Sequence, residues 1–225
     1  MSDSDPAPQS AARFTLYGSP HSPPTYKVAL MLHLSGEPFA FHYVSFQKAM
    51  HKRLEFRALS RWGQVPVLVD LDRVYVQSAA IVEYLTETLG RFRAPDRVAL
   101  QTMREWLCWD QDTLTSAIDG CYSVELDRRK LLKLDIAPAL ATYHRERAER
   151  ALASLDAQLG GRDWLCAAVP TAADLFCYGD VAFAELCSFG LAQWPNLTAW
   201  AARIKALRGF QPPLDLLPLA DAEVL

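Results

Sequence analysis

The sequence lacks the features that direct a chain to nucleic acid or to a membrane. Its 23 basic and 26 acidic residues leave a formal net charge of -3, which gives no support to a general nucleic-acid binder. The longest stretch without a charged residue, residues 186–202, is interrupted by Gln193, Pro195 and Asn196. It falls short of the roughly 20 mostly apolar residues that a spanning helix needs. Residues 1–12 lack the apolar core of a signal peptide, so we expect a disordered tail on a cytoplasmic protein.

Cysteine is also scarce, and it follows no recognisable pattern. The chain has five cysteines, an odd number, with no CxxC pair and no spacing typical of metal ligands. Free thiols in a reducing compartment and the absence of a bound metal are the simplest interpretation. What is abundant is core material, since 51% of the 225 residues are hydrophobic. That content predicts a globular protein of one or two domains.

The two halves of the chain carry different periodicities. Residues 13–90 alternate strand and helix patterns in the order βαβαββα, and a hairpin is predicted from two β-rich runs on either side of residues 71–73. Residues 91–96 form the predicted linker. From residue 97 to residue 225 the pattern is helical, with predicted helices at 97–117, 138–159, 171–190 and 197–207. We therefore predict an α/β domain followed by an all-α helical bundle.

Pro66 stands where a predicted strand should begin. Proline has no N–H and cannot serve as an ordinary member of a central strand. A cis Val65–Pro66 bond is one explanation, because it would leave the Val65 backbone free to pair with an extended ligand. A trans proline at the start of a strand is the other, and base rates favour it.

Two further features near Pro66 suit an anionic ligand. Gln77 and Ser78 precede a helix, and the N–H groups at its N-terminus would attract a carboxylate, although Ser78 is equally suited to capping that helix alone. A basic cluster lies upstream, opposed only by Glu55, and predicts either a polyanion site or a solvated helix face. Its members are Lys48, His51, Lys52, Arg53, Arg57 and Arg61.

These features in this order resemble a known family. Residues 63–70 (GQVPVLVD) followed by residues 77–85 (QSAAIVEYL) resemble the glutathione-binding half of the cytosolic glutathione transferases. Residues 16–22 (LYGSPHS) and 170–174 (PTAAD) resemble other parts of the same family. The resemblance implies a thioredoxin-like first domain that binds glutathione as co-substrate. It also implies an all-helical second domain that binds an electrophile.

The resemblance implies a role for each matching residue. Val65 before a cis Pro66 would pair with the cysteinyl backbone of glutathione, next to Gln64. Gln77 and Ser78 would hold the γ-glutamyl carboxylate. His51 and Lys52, spaced as the His-Lys pair of the plant-type (phi) enzymes, would hold the glycine carboxylate. Two carboxylates at the ends of an extended tripeptide do need cationic or N–H partners at both ends.

The hydroxyl that contacts the thiol has three candidates. Ser22 follows Tyr17 by five residues, as the catalytic serine does in serine-type transferases, and could also cap the next helix. Thr25 matches a hydroxyl in some bacterial relatives, and Tyr17 lies near the residue that tyrosine-type members use. We rank Ser22 first, Thr25 second and Tyr17 third. Cysteine-type relatives are disfavoured because no cysteine precedes Cys108.

In the second half, Thr171 and Asp174 are predicted to form a capping box, a structural role. Trp106, Trp109 and Tyr122 are candidates for the electrophile pocket, with ordinary core packing as the alternative. The proline-containing tail at 212–225 suggests an extended strap.

The leading functional hypothesis is a glutathione transferase that conjugates small hydrophobic electrophiles in detoxification, with glutathione-dependent peroxide reduction as a related version. The alternative is a non-catalytic module that binds glutathione or a partner. The resemblance implies a homodimer, while the electrophile and the transferase class are not predicted.

Overall fold

A computed structural model describes residues 12–131, 133–187 and 189–217, together with the backbone of residues 223–224. The predicted tail at 1–12 lies outside the described residues except for residue 12. Within the described part of the chain, no helix is both long enough and apolar enough to cross a membrane.

The first half has the predicted βαβαββα order. Strands β1 and β2 run parallel, β3 is antiparallel to β1, and β4 is antiparallel to β3 in a hairpin. Across the sheet the strand order is β4-β3-β1-β2-β5. The elements are β1 (Phe14–Gly18), α1 (Pro23–Leu34), β2 (Phe39–Tyr43), a 3-10 turn (Met50–Lys52), α2 (Leu54–Leu59), β3 (Val67–Asp70), β4 (Arg73–Val76) and α3 (Ser78–Leu89).

The second half is helical. Its elements are α4 (Arg97–Trp109), a π-helical turn (Asp110–Leu114), α5 (Thr115–Arg128), α6 (Pro138–Gln158), α7 (Ala172–Leu186), a 3-10 turn (Leu191–Gln193), α8 (Pro195–Lys205) and α9 (Pro213–Leu216). The fold class, a thioredoxin-like domain followed by helices, is therefore confirmed.

Several features of the second half differ from the predictions. The helix predicted over 171–190 ends at Leu186. The helix predicted to end at residue 117 continues through the π-helical turn into α5 and ends at Arg128. The C-terminal strap is wrong for Pro213–Leu216, which form a helical turn that begins with proline. Farther on, β5 (Glu223–Val224) adds a short parallel strand beside β2, so the C-terminal part is not entirely helical. Strand pairing of this kind depends on a distant partner and has no local signal.

Helix α1 lies at the centre of the molecule. Ser22 is its N-cap, with the side-chain oxygen accepting a hydrogen bond from the Thr25 N–H at 3.4 Å. Pro23 and Pro24 follow. Proline is well suited to the first helical turn because backbone N–H groups there have no acceptor within the helix, so the N–H that proline lacks costs no hydrogen bond. The helix packs against α7 and α3 and is buried over most of its length. It therefore connects the sheet to the helical half.

A charged cluster is buried where these halves meet, and we call Lys27, Asp110, Thr115 and Asp180 the ion cluster. The Lys27 ammonium contacts Asp110, and it lies 2.8 Å from both the Asp180 carboxylate and the Thr115 hydroxyl. Burial alone would lower the pKa of Lys27, but the two carboxylates outweigh burial and raise it. Burial and repulsion from Asp180 raise the pKa of Asp110 well above its ordinary range. Asp110 therefore takes up a proton more readily than an ordinary aspartate does.

The predicted capping box at the start of α7 is confirmed. The Thr171 N–H donates to the Asp174 carboxylate at 2.8 Å, and the indole N–H of Trp200 donates to the same group at 2.9 Å. Burial raises the pKa of Asp174, and the hydrogen bonds partly offset that effect. Asp174 is therefore a structural residue that ties α8 to the start of α7.

Candidate functional site

A cavity of about 380 Å³ lies over the carboxyl-terminal end of β1, and we call it the polar cavity. It collects most of the residues that the sequence singled out. Six of the seven predicted glutathione-binding residues line it, namely His51, Gln64, Val65, Pro66, Gln77 and Ser78. Ser22 lines it as well. Residues more than 50 positions apart in the chain therefore share one concave surface.

The Val65–Pro66 peptide bond is cis, which decides between the two interpretations of Pro66. The turn before it is held by Ser60, whose hydroxyl donates to the Gln64 carbonyl at 2.9 Å and accepts from the Gln64 N–H at 3.0 Å. Gly63 has a φ of 65°, and a Cβ there would lie 2.9 Å from the His51 carbonyl oxygen. Glycine is required at this close approach. Val65 follows on the cavity wall.

The start of α3 differs from the prediction, because Gln77 and not Ser78 is the N-cap residue. Gln77 has φ 71° and ψ 111°, a conformation that L-residues rarely adopt. Its side chain makes no capping hydrogen bond and instead donates to the Gln64 side chain at 3.0 Å. The helix therefore begins at Ser78 without a side-chain cap, and its first N–H groups are available to a carboxylate in the cavity.

The two residues of the predicted His-Lys pair are placed differently. His51 lines the polar cavity, and its buried Nδ1 has no hydrogen-bond partner among the described residues. Burial and the neighbouring charge of Lys52 lower the pKa of His51. Lys52 is exposed and is not part of the cavity wall. Of the two, His51 is therefore the better placed to contact a ligand.

The structure separates the three candidate hydroxyls. Ser22 lines the cavity and caps α1. Thr25 is fully buried, with its hydroxyl accepting from the Ser19 N–H at 3.3 Å, and it packs against Gly18. Tyr17 stacks on His42 with ring centroids 4.8 Å apart and belongs to a small apolar cluster. Neither Thr25 nor Tyr17 is part of the cavity wall, so Ser22 is the best placed of the three.

A second cavity of about 330 Å³ adjoins the first, and we call it the outer cavity. Its walls include His21 and Ser22 from the first half and Tyr122 and Leu126 from α5. The His21 Nδ1 lies 2.9 Å from the Tyr122 hydroxyl, so a polar contact joins the two halves above α1. Burial lowers the pKa of His21 and raises that of Tyr122 to about 12. Both groups are therefore neutral at physiological pH.

Comparison with known proteins extends over nearly the whole chain. Residues 21–88 match the model of the glutathione S-transferase N-terminal domain, and residues 116–203 match the model of the C-terminal domain. The solved structure of a glutathione S-transferase from Xanthobacter autotrophicus is 31% identical, with a TM-score of 0.80. That match covers 90% of this chain and 98% of the other. The chain belongs to the glutathione S-transferase family.

Curated relatives within the family are more distant in sequence. Glutathione S-transferase 3 of Zea mays is 28% identical over 220 residues, covering 92% of this chain and 96% of the relative. Human glutathione S-transferase theta-2 is 27% identical over 196 residues, covering 84% and 79%. The two family models include most of the residues that line the cavities, since Ser22 to Ser78 fall in the first model and Asp119 and Tyr122 in the second.

The structure does not bring the three predicted electrophile-pocket residues together. Tyr122 lines the outer cavity, but Trp106 and Trp109 line a separate cavity of about 380 Å³ between α4 and α6. The two indoles meet edge to face with centroids 5.2 Å apart, and both pack against the main core. Helix α4 turns Met103 and Leu107 inward, which leaves the tryptophans on a neighbouring face.

Asp119 is the principal residue that sequence reasoning missed. It lies on α5 three residues before Tyr122, so both side chains lie on one face of the helix. It lines both the polar and the outer cavity. The three-residue spacing from Tyr122 is the sequence signal for Asp119. The helix predicted from the sequence ends at residue 117, however, so the prediction does not place Asp119 on that face.

Proposed function

We propose that this chain binds glutathione in the polar cavity, stabilises its thiolate through Ser22, and conjugates it to small hydrophobic electrophiles held in the outer cavity. The observation that carries the proposal is the position of Ser22, which lines both cavities. A nucleophile held there would face a second substrate directly. Catalysis would then rest on proximity and on anion stabilisation.

The polar cavity offers complementary groups along the length of an extended tripeptide. At one end, the uncapped start of α3 at Gln77 and Ser78 suits the γ-glutamyl carboxylate. In the middle, the Val65 backbone suits the cysteinyl amide. At the other end, the His51 side chain lines the cavity, which suits the glycine carboxylate. These assignments agree with those that the family resemblance implies.

The chemical requirement is a thiolate at neutral pH, because the thiolate is the nucleophile. A thiol with an ordinary pKa of about 8.5 is only about 3% ionised at pH 7. Lowering that pKa by two units requires about 2.7 kcal/mol of preferential stabilisation of the anion. The Ser22 oxygen accepts from the Thr25 N–H, which leaves the hydroxyl hydrogen free to donate to sulfur. The N-terminus of α1 adds its positive dipole end.

The test is glutathione binding by calorimetry together with the ultraviolet thiolate band across pH. We expect the wild type to bind and to lower the thiol pKa by about two units. Ser22→Ala should bind but leave the thiol pKa near about 8.5, because the donor is lost. Ser35→Ala is the matched control. Ser35 caps the opposite end of α1 and its buried hydroxyl has no partner among the described residues, so the thiol pKa should match the wild type.

Three results would change the proposal. Binding with an unshifted thiol pKa in the wild type would favour the non-catalytic alternative. An equal loss in Ser22→Ala and Ser35→Ala would point to a general effect on α1 rather than to a donor at Ser22. No binding of glutathione would end the proposal and leave the family assignment alone standing.

The homodimer, which the resemblance implies, and the cytoplasmic location, which the cysteine pattern and the lack of a signal-peptide core suggest, remain predictions. Sedimentation velocity at several protein concentrations checks the first. A particle of twice the 25.2 kDa chain mass is the expected result.

A further inference from the structure

We propose that Asp119 is the proton carrier of the reaction, taking the proton from the glutathione thiol and returning it to an oxygen of the electrophile. This inference rests on the function proposed above, and it narrows the substrate class. Electrophiles that gain a proton in the reaction, such as epoxides, would be favoured over those that only lose a halide.

The geometry that carries the inference is the overlap of the two cavities. Three residues line both cavities, namely Ser22, Phe46 and Asp119. Ser22 and Asp119 are the two with polar side chains, and they approach from opposite halves of the molecule. Asp119 is therefore the acidic group that lines the space in which a thiol bound beside Ser22 would meet an electrophile.

The Asp119 carboxyl is unengaged. Within residues 12–131, 133–187 and 189–217 it has no hydrogen bond and no ion pair, whereas the nearby Asp110 and Asp180 are both committed to Lys27. Its side chain is open to the cavities, although protein surrounds it on most sides. A carboxyl group in that position has no structural task that the described contacts reveal.

The surroundings of Asp119 suit a group that both accepts and donates a proton near neutrality. Burial, followed by repulsion from Asp180 on α7, raises its pKa to about 7, while Lys27 on α1 partly opposes the rise. The other titratable groups on the cavity walls are two histidines and two tyrosines, namely His21, His51, Tyr43 and Tyr122. Burial lowers the pKa of both histidines. At pH 7 to 8 the histidines are therefore neutral, and Asp119 can exchange a proton with a bound thiol.

In the first step the thiol S–H bond breaks and the proton moves to a carboxylate oxygen of Asp119. A thiolate and a neutral carboxylic acid replace a thiol and a carboxylate, so the net charge of the site is unchanged. Ser22 would donate its hydrogen bond to the sulfur at this stage. Because the negative charge only changes place, no counter-ion has to enter the cavity.

In the second step the thiolate attacks a carbon of the epoxide. The C–S bond forms, and the C–O bond breaks with its electron pair on oxygen. That oxygen takes the proton from Asp119, which returns to the carboxylate. With an aryl halide the halide leaves with its electron pair and needs no proton, so Asp119 would have no second task.

Tyr122 and His21 are the competing groups on the outer cavity wall. The pKa of Tyr122 is raised to about 12, and its hydroxyl is engaged with the His21 ring at 2.9 Å. Neither group gains and loses a proton readily near pH 7, and general acid–base catalysis works best when the pKa lies near the working pH. Asp119 is the better match.

The first experiment measures protons released when glutathione binds at pH 7, by calorimetry in two buffers of different ionisation enthalpy. Asp119→Asn should release about 0.7 of a proton per site, because a thiol pKa lowered to about 6.5 leaves about three quarters of the bound thiol ionised. The wild type should release about half a proton less, because about half of its Asp119 carboxyls are ionised before binding and take up the thiol proton. The control, Asp112→Asn, alters an exposed residue of the π-helical turn outside the two cavities and should match the wild type. Equal release by wild type and Asp119→Asn would overturn the inference.

The second experiment compares turnover of styrene oxide with that of 1-chloro-2,4-dinitrobenzene. Asp119→Asn should lower kcat for the epoxide by about 100-fold or more, in line with general acid catalysis, and lower kcat for the aryl chloride less than about threefold. The wild-type kcat for the epoxide should also fall as pH rises through about 7, a limb that Asp119→Asn removes. Equal effects on both substrates would overturn the inference, as would a wild type that conjugates only the aryl chloride.

These outcomes separate the inference from the function beneath it. If the wild type binds no glutathione or turns over neither substrate, the proposed function fails. If it binds and conjugates while Asp119→Asn behaves as Asp112→Asn does, the inference on Asp119 fails alone. Thermal unfolding of each variant confirms that the proteins compared are folded.

Discussion

The ion cluster and the polar cavity are built from neighbouring segments of the chain. The polar groups of the cluster are buried and paired, whereas those of the cavity face open space. Lys27 follows Ser22 by little more than one helical turn, and Asp110 precedes Asp119 by nine residues. Lys27 and Asp110 are fully buried and bound to each other. Ser22 and Asp119 face space that a ligand could occupy. The same two segments of the chain therefore supply residues to both the buried ion cluster and the open site.

The difference shows how position decides what a charge does. In the ion cluster, burial makes every charge costly unless it has a partner, so the members are committed to one another. In the cavity, Gln64 and Gln77 can still be solvated, so they need no internal partner for every polar atom. A polar group left open in this way is available to a ligand.

The largest effect should come from breaking the ion cluster with Lys27→Met. Methionine keeps most of the buried stem but removes the charge shared by Asp110 and Asp180. Breaking a buried pair by removing one partner costs about 3–5 kcal/mol in the free energy of unfolding. Denaturant unfolding measures it. Lys205→Met removes an exposed pair with Glu185 and should cost about 1 kcal/mol or less. Similar losses in the free energy of unfolding for the two variants would contradict the contrast between a buried and an exposed ion pair.

The raised pKa of Asp110 gives the next effect, a dependence of stability on pH. Because the pKa of Asp110 is raised in the folded protein, folding retains a proton that the unfolded chain loses above about pH 4. Stability from this proton is present at low pH and declines as pH rises, by up to about 1.4 kcal/mol per pH unit.

Asp110→Asn should remove that decline between pH 5 and pH 8, as measured by denaturant unfolding at each pH. The quantity of interest is the difference from wild type, since Asp119 contributes a slope of the same sign to both proteins. Asp112→Asn, on the exposed side of the same turn, should keep the wild-type slope. If the free energy of unfolding varied with pH in the same way for wild type and Asp110→Asn, Asp110 would be ionised in the folded state over this pH range.

The smallest effects on stability should come from the cavity. Gln77→Ala removes an exposed hydrogen bond to Gln64 and should change the free energy of unfolding by about 0.5 kcal/mol or less. The glutathione Kd should rise about tenfold, because a hydrogen bond to a charged carboxylate is worth about 1.5 kcal/mol or more. Lys52→Ala should change the Kd less than about twofold, since Lys52 is not part of the cavity wall. A tenfold rise in that variant would place its side chain on the ligand.

Local signals in the sequence were enough for much of the fold and part of the site. The hairpin around residues 71–73 and the capping box of Thr171 and Asp174 depend on neighbours within a few positions, and the structure confirms both. The residues of the first-half motifs also reach one cavity, because each lies in a turn or at the start of a helix.

Contacts between distant segments had no such signal. The sequence left Ser22, Thr25 and Tyr17 as alternatives, and only packing shows that Thr25 and Tyr17 turn away from the cavity. Likewise, only packing shows that Trp106 and Trp109 line a different cavity from Tyr122.

The sequence by itself determined the order of strands and helices and the side chains available to a glutathione site, since periodicity, caps and turn residues act over a few positions. The tertiary structure decided which polar groups were to be partnered inside and which were to stay open. Lys27 met Asp110 and Asp180 across 83 and 153 positions, and Asp119 came to face Ser22 across the cavities. Burial and electrostatic partners arise only when such segments pack together, and these, not residue type, set the charge and the role of each group.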